Sequence, residues 1–414
     1  MFNIMKVAYM WLICCAVLGM VSCSSGNSRT EPNVNPLNIN AITAFALNGT
    51  AGVITGNSIS VTVPYGTDVT DLVATFTTTG EYVTVGTGVI PVIQVSGVTK
   101  NNFENPVIYT VNAANGMTNG YTVVVSIAAP IYSYITERYN NAVVKCLVGL
   151  NGNLKDCVNS GAVGINLPAG IASNMGYIYV ANQGIDMVVK CTINESSGVL
   201  SGCIDSGATG IREPNSIAFN ESGTYAYIVN QVLSNTVSKC MVTENGSLSE
   251  CANSGANGLS FPMNIVFNGQ YAYITDLVLE EVIQCVVDLD GSLNSCNNSG
   301  AAGLAAPVAI VFNNSYAYIT NYYSDDVIQC AVNTASGNLG NCVTSGNNVG
   351  FAKGMGFNPA GTVAYITNFE SNTVTQCTVS FANGNLSGCI NGGAANLNKP
   401  YGIILYQYGN GSSI

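Results

Sequence analysis

Twelve cysteines recur in pairs 11 or 12 residues apart: Cys146 with Cys157, Cys191 with Cys203, Cys240 with Cys251, Cys285 with Cys296, Cys330 with Cys342 and Cys377 with Cys389. Thiols so spaced can form disulfides, hold a soft metal, or stay buried and free. A metal site is disfavoured, because no C-x-x-C is present and the chain has no histidine to complete a mixed ligand set. The same lack of histidine removes Ser-His-Asp and Cys-His nucleophile activation and imidazole acid–base catalysis. A turn signal lies midway between the members of each pair. Asn151-Gly152, Asn245-Gly246 and Asp290-Gly291 centre the shorter spacings; Ser197, Ser336 and Asn383, each followed by Gly, centre the longer ones. Two-residue and three-residue hairpin loops at these points would set the cysteines opposite each other, about 4.5–5.5 Å apart at Cα, within reach of a disulfide. Six disulfides, each inside one hairpin, are the expectation, with buried free thiols as the alternative.

The hairpins belong to a longer repeat. Six copies of an A-Y-I-T-N-like strand run from Tyr132 to Asn368, and first cysteines recur every 45 to 49 residues. After each second cysteine comes a Ser-Gly-Ala-type loop and a short strand of P-x-x-I-x-F type, the last being Pro400–Leu405. Four strands per repeat of this length predict one propeller blade each. The repeats begin in mid-unit at Tyr132 and end on a lone strand. The C-terminus is therefore expected to complete the first sheet and close a ring with no open edge. Over residues 131–409 the strings resemble YVTN-type propeller repeats, relatives of the NHL and lactonase-like propellers, which implies a six-bladed β-propeller.

In that frame the two residues after each Pro position face the central channel: Ala169-Gly170, Asn215-Ser216, Met263-Asn264, Val308-Ala309, Lys353-Gly354 and Tyr401-Gly402. They include no carboxylate, whereas the resemblance to lactonases implies a cation held there by Glu, Asp and Asn. Lys353 is the one charge, read as a solvated lysine and not a Schiff-base nucleophile. The string Asp288-Leu289-Asp290-Gly291-Ser292 opens like a calcium loop, but its glycine comes too early and no Glu closes it. Each Asn after Y-I-T is expected to be a turn residue bonding its own backbone. Asp276, Glu280 and Glu281 in one loop, and Asp325 and Asp326 beside Tyr322 and Tyr323 in the next, would share one face. They form the candidate ligand patch, suited to cationic or carbohydrate-like partners, with a solvated rim as the alternative.

Ahead of the repeats, residues 40–128 contain about seven short strand-like runs and no cysteine. Ile59, Val61 and Val63 alternate with Ser58, Ser60 and Thr62, and Asn48-Gly49 and Asn115-Gly116 mark turns. This pattern predicts a β-sandwich. The strings ITAFALNG, VPYGTDVTDLVATF and YTVNAANGMTNGYTVVV resemble the immunoglobulin-like modules of bacterial surface lipoproteins, which implies a spacer or adhesion unit. Residues 1–22 carry Lys6 and then an uncharged apolar run from Val7 to Met20, too short to span a bilayer and fitting a signal peptide. Met20-Val21-Ser22-Cys23 resembles a bacterial lipobox, which implies lipid attachment at Cys23 and, with Ser24 following, an outer-membrane lipoprotein. Residues 23–39 read as a flexible tether.

Of 414 residues only 8 % are charged, and the formal charge of −11 excludes nucleic acid as an electrostatic partner. The expected protein is all-β, exported, held to the membrane by its lipid, without metal or cofactor, and non-catalytic. It would bind a protein or carbohydrate through the propeller, with a lactonase-like hydrolase or lyase as the alternative function.

Overall fold

In Ser58–Val63 the period of two becomes one strand whose Ile59, Val61 and Val63 are buried while Ser58, Ser60 and Thr62 face outward. The strand lies in the first of two units of the computed structural model, which describes residues 40–86, 91–231, 234–347 and 349–408. That unit has two sheets. One runs Thr50–Ala51, Ile42–Leu47, Leu72–Thr78, Lys100–Asn101; the other runs Val53–Thr55, Ser58–Val63, Thr118–Ile127, Val107–Asn112, Tyr82–Val85, Val92–Gln94. Their inner faces share one core around Phe45, Leu47, Ile59, Tyr109 and Val123. The Phe45 ring meets Tyr109 edge-on at 5.2 Å, and the Tyr109 hydroxyl accepts a hydrogen bond from Asn101.

From Ile131 onward the chain forms four-stranded antiparallel sheets, six of them among the described residues. In the second sheet Pro168–Asn174 is innermost, followed outward by Tyr177–Asn182, Met187–Ile193 and Leu200–Asp205. The next four repeat that order, with innermost strands Pro214–Phe219, Pro262–Asn268, Pro307–Asn313 and Ala352–Phe357. The first sheet takes its innermost strand from the far end of the sequence: Pro400–Gln407 pairs antiparallel with Ile131–Glu137, Ile404 opposite Tyr134. The innermost strands touch in cyclic order, Pro168–Asn174 meeting both Pro214–Phe219 and Pro400–Gln407. Second strands do not alternate. Ile178, Tyr179, Val180 and Ala181 are all buried, because both faces of each sheet lie against neighbouring sheets.

Two rings of hydrogen bonds join each sheet to the next. The hydroxyls of Tyr134, Tyr179, Tyr227, Tyr273, Tyr318 and Tyr365 donate to the carbonyls of Gly198, Gly246, Gly291, Gly337, Gly384 and Gly152 at 2.5 to 2.7 Å. Lys145, Lys190, Lys239, Gln284, Gln329 and Gln376 donate to carbonyls of the same hairpin turns. In both rings the sixth bond passes from the last repeat back to the first. Burial pushes the Tyr273 and Tyr318 phenols up to about 12, so they remain neutral donors. Each bond contributes about 1 kcal/mol net, and more is lost if the buried carbonyl is orphaned.

Every cysteine pair is joined within its own hairpin, which decides between disulfides and free thiols. Cys146 is bonded to Cys157, Cys191 to Cys203 and Cys240 to Cys251. Cys285 is bonded to Cys296, Cys330 to Cys342 and Cys377 to Cys389. Their Cα atoms stand 4.0 to 4.1 Å apart, closer than the expected separation. The register around them also corrects the expectation of flush two-residue and three-residue turns. Val148 opposes Leu154, yet Lys145 opposes Val158. The loop therefore holds one more residue than expected, closed by Gly152 at φ 78, and Asp156 bulges out at φ 52 immediately before Cys157. The same left-handed bulge recurs at Gly202 before Cys203, Glu250 before Cys251 and Ser295 before Cys296. Asn341 before Cys342 and Gly388 before Cys389 complete the series. The bulge restores the residue that the longer loop removes, and so brings the sulfurs face to face.

Candidate functional site

The same geometry that repeats around the ring also repeats at one of its ends. Each second strand finishes on a polar residue, Glu137, Asn182, Asn230, Asp276, Asn321 or Asn368. These side chains mostly hold the loop that enters the same sheet, not their own turn as expected. Asn182 accepts from Asn166 N–H and donates to the Gly164 carbonyl; Asn321 does the same with Ala305 and Gly303; Glu137 accepts from Asn398 N–H. The next residue in each sheet is Arg138, Gln183, Gln231, Leu277, Tyr322 or Phe369. These six stand at equivalent positions, above the channel-facing residues of the innermost strands.

On one side of the mouth they form a polar arc. Arg138 donates to Gln183, Gln183 donates to Gln231 at 2.8 Å, and Gln231 reaches the Met263 sulfur. Beneath the arc, Asn215 donates to the Met263 carbonyl and accepts from the Tyr401 hydroxyl at 2.7 Å. The other side is aromatic. The Lys353 ammonium lies 3.9 Å from the Tyr322 ring centre, 5.4 Å from that of Tyr401 and 5.8 Å from that of Phe369. Tyr139 packs edge-on against Phe369, Phe369 against Tyr401, and Tyr322 against both Tyr323 and Phe351. Tyr139 and Tyr323 remain 60 % and 67 % exposed, so each offers a free ring face. Lys353 and Tyr401 also line a cavity of about 490 Å³, together with Ile171, Ile217, Ile265 and Ile310 among others.

Burial, and then the nearby Arg138 charge, push the Lys353 amine down to about 8 against a smaller opposing pull from Glu370. Burial likewise raises the Tyr401 hydroxyl, although Arg138 and the Asn215 bond offset part of the rise. Lys353 is therefore not a freely solvated lysine, which corrects that expectation. Its stem and amine are clasped by three rings.

The expected acidic patch is only partly assembled. Asp276 is fully buried and accepts from the N–H groups of Ser260, Phe261, Val278 and Leu279, so it is a loop staple and not a ligand contact. Asp325 accepts from Phe351 N–H, and Asp326 from Asn321 and Ser324. Both carboxylates order their own surroundings. Glu280 is exposed, and Glu281, the first residue of the strand Glu281–Val287, is half-buried. Tyr322 lays its ring on Lys353, and the exposed Tyr323 packs against Tyr322 at 5.4 Å, so the aromatic half of the patch borders the rim of the mouth. In the Asp288–Ser292 string, Asp290 accepts from Ser292 within a hairpin turn, which gives the carboxylate a structural task. The twelve cysteines are all spent on disulfides of the outer hairpins and take no part in the mouth. Cys23 lies outside the described residues. Among the described residues no three His, Cys, Asp or Glu side chains converge as a metal site would require.

Arg138, Tyr139, Gln183, Gln231 and Phe369 were absent from the sequence-based candidates. The signal that finds them is the repeat itself: they directly follow the end of a second strand, or lie one residue further on.

Residues 42–125 match the family described as "SGBP, N-terminal". No curated protein matches the chain. Among solved structures, a chain of a nidogen/laminin complex is 13 % identical with TM-score 0.53, over 66 % of this chain and 98 % of that one. A periplasmic gluconolactonase from Pseudomonas aeruginosa is 14 % identical with TM-score 0.46, over 88 % and 99 %. An auxiliary nutrient binding protein from Bacteroides ovatus is 14 % identical with TM-score 0.46, over 92 % and 98 %. At 13 % identity the likeness to the nidogen/laminin chain is one of fold alone.

Proposed function

We propose that the chain is a non-catalytic, surface glycan-binding protein of the cell envelope, lipidated at Cys23. In this reading an immunoglobulin-like module carries a six-bladed propeller whose mouth holds the sugar. The observation that carries it is the match of residues 42–125 to a surface glycan-binding protein N-terminal domain. The mouth supports it chemically. Sugars are bound by flat aromatic faces against their C–H surfaces and by planar amide or guanidinium groups against paired hydroxyls. Tyr139 and Tyr323 supply the first, and Arg138, Gln183 and Gln231 the second. A lactonase-like reading has no comparable support, since the channel-facing positions of the innermost strands offer no carboxylate donor set.

The test is native gel retardation of the purified protein in a panel of soluble polysaccharides. Retardation by at least one polysaccharide is expected, weakened about tenfold by the double variant Tyr139→Ala, Tyr323→Ala, since each ring contact contributes about 0.5–1.5 kcal/mol. Mobility unchanged across the whole panel would reject the reading.

A further inference from the structure

Two cations meet at the mouth, and among the described residues no carboxylate is bonded to either. Arg138 and Lys353 lie over the same Tyr401 ring, at 5.5 and 5.4 Å from its centre. The ion pairs among the described residues are Lys100 with Asp71 and Lys399 with Glu370, and neither includes them. Arg138 spends one N–H on Gln183. The Lys353 ammonium, with three donors, has aromatic faces around it but no hydrogen-bond acceptor among the described residues. Ring faces attract a cation without satisfying its N–H groups. A half-buried charge of this kind keeps part of its desolvation cost until an anion answers it. The arrangement is also local. The chain as a whole is acidic, with 11 basic against 22 acidic residues, so this is not one part of a generally positive surface.

Resting on the glycan-binding reading, we propose that the mouth selects acidic glycans, taking a carboxylate or sulfate group between Arg138 and Lys353 while sugar rings lie against Tyr139 and Tyr323. The planar fork of Arg138 suits two oxygens of one anion, and Lys353 adds a point charge from beneath. Glu370 stands nearby but is engaged by Lys399 at 2.5 Å, which leaves the space between the two other cations to the ligand.

Titration calorimetry on the full chain would use polygalacturonate, dextran sulfate and uncharged dextran. Lys353→Met keeps the apolar stem and removes a half-buried charge, so it retains the fold; Arg138→Gln copies the neighbouring glutamines. The wild-type protein is expected to bind an acidic polymer and not dextran, with each variant weakening it at least about tenfold, as loss of a charge-assisted bond implies. Binding should also weaken in high salt. It should decline further as pH climbs past about 8, where Lys353 gives up its proton, the facing charges being Arg138, Glu370 and Lys399 and the facing phenols Tyr322 and Tyr401. Preference for polygalacturonate identifies the group as a carboxylate, and preference for dextran sulfate as a sulfate ester. Binding of dextran, or of any neutral glycan from the wider panel, with an affinity that both variants leave unchanged would overturn the anion site and leave glycan binding standing. Failure of every polysaccharide, neutral or acidic, would overturn both.

Discussion

Asp276 illustrates how a single side chain can be right in chemistry and wrong in role. A carboxylate in a loop beside tyrosines invites a ligand, yet its oxygens collect four backbone N–H groups and none faces solvent. Asp276→Ala leaves those buried donors unanswered and is expected to cost about 3 kcal/mol. Asp276→Asn should cost less, because Asn182 and Asn321 hold their own loops with an amide that accepts from one N–H and donates to one carbonyl. Urea denaturation of the two variants measures the difference; equal losses would show that the carboxylate charge itself is required. The sequence marked this position as repeated and polar. It could not reveal that the bonded loop lies some sixteen residues earlier, because that pairing exists only once the sheet has formed.

The hairpins teach a similar lesson for elements. Strand positions and the pairing of cysteines follow from alternation, turn residues and spacing, and those features are local. The bulge before each second cysteine is not signalled, since Asp156, Gly202, Glu250, Ser295, Asn341 and Gly388 share a left-handed backbone and little else. The conformation is imposed by the longer turn and the covalent link together. A β-carbon in this region costs about 1–2 kcal/mol, partly offset by the freedom glycine gains in the unfolded chain. Glu250→Gly should therefore raise stability by about 0.5–1 kcal/mol, seen as a higher denaturation midpoint at unchanged slope. A lower midpoint would mean that the Glu250 side chain contributes something its backbone angle does not show.

For the whole molecule, the phase of the repeat told where the last strand goes, because a unit cut at Tyr132 needs its missing piece from the other end. Ending the chain at Lys399 removes that strand, exposes Tyr134 and Ile135, and opens the line of contacts between the innermost strands on both sides. Scanning calorimetry of this truncation is expected to show loss of the cooperative transition of the sheets; a melt like that of the full chain would refute closure by pairing. The mouth was much less legible, since Arg138, Gln183, Gln231, Leu277, Tyr322 and Phe369 have equivalent positions but dissimilar side chains, and a search for similar residues passes over them. The cysteine pairs carry a further consequence, for the order of assembly. Each links residues only 11 or 12 apart. Twelve thiols set free together could pair in on the order of ten thousand ways. A chain entering an oxidising space from its N-terminus presents each partner before the next pair arrives, so sequential oxidation of nearest neighbours produces the native set without reshuffling. The covalent links can thus be finished hairpin by hairpin as the polypeptide is delivered, while the ring must wait for the final strand.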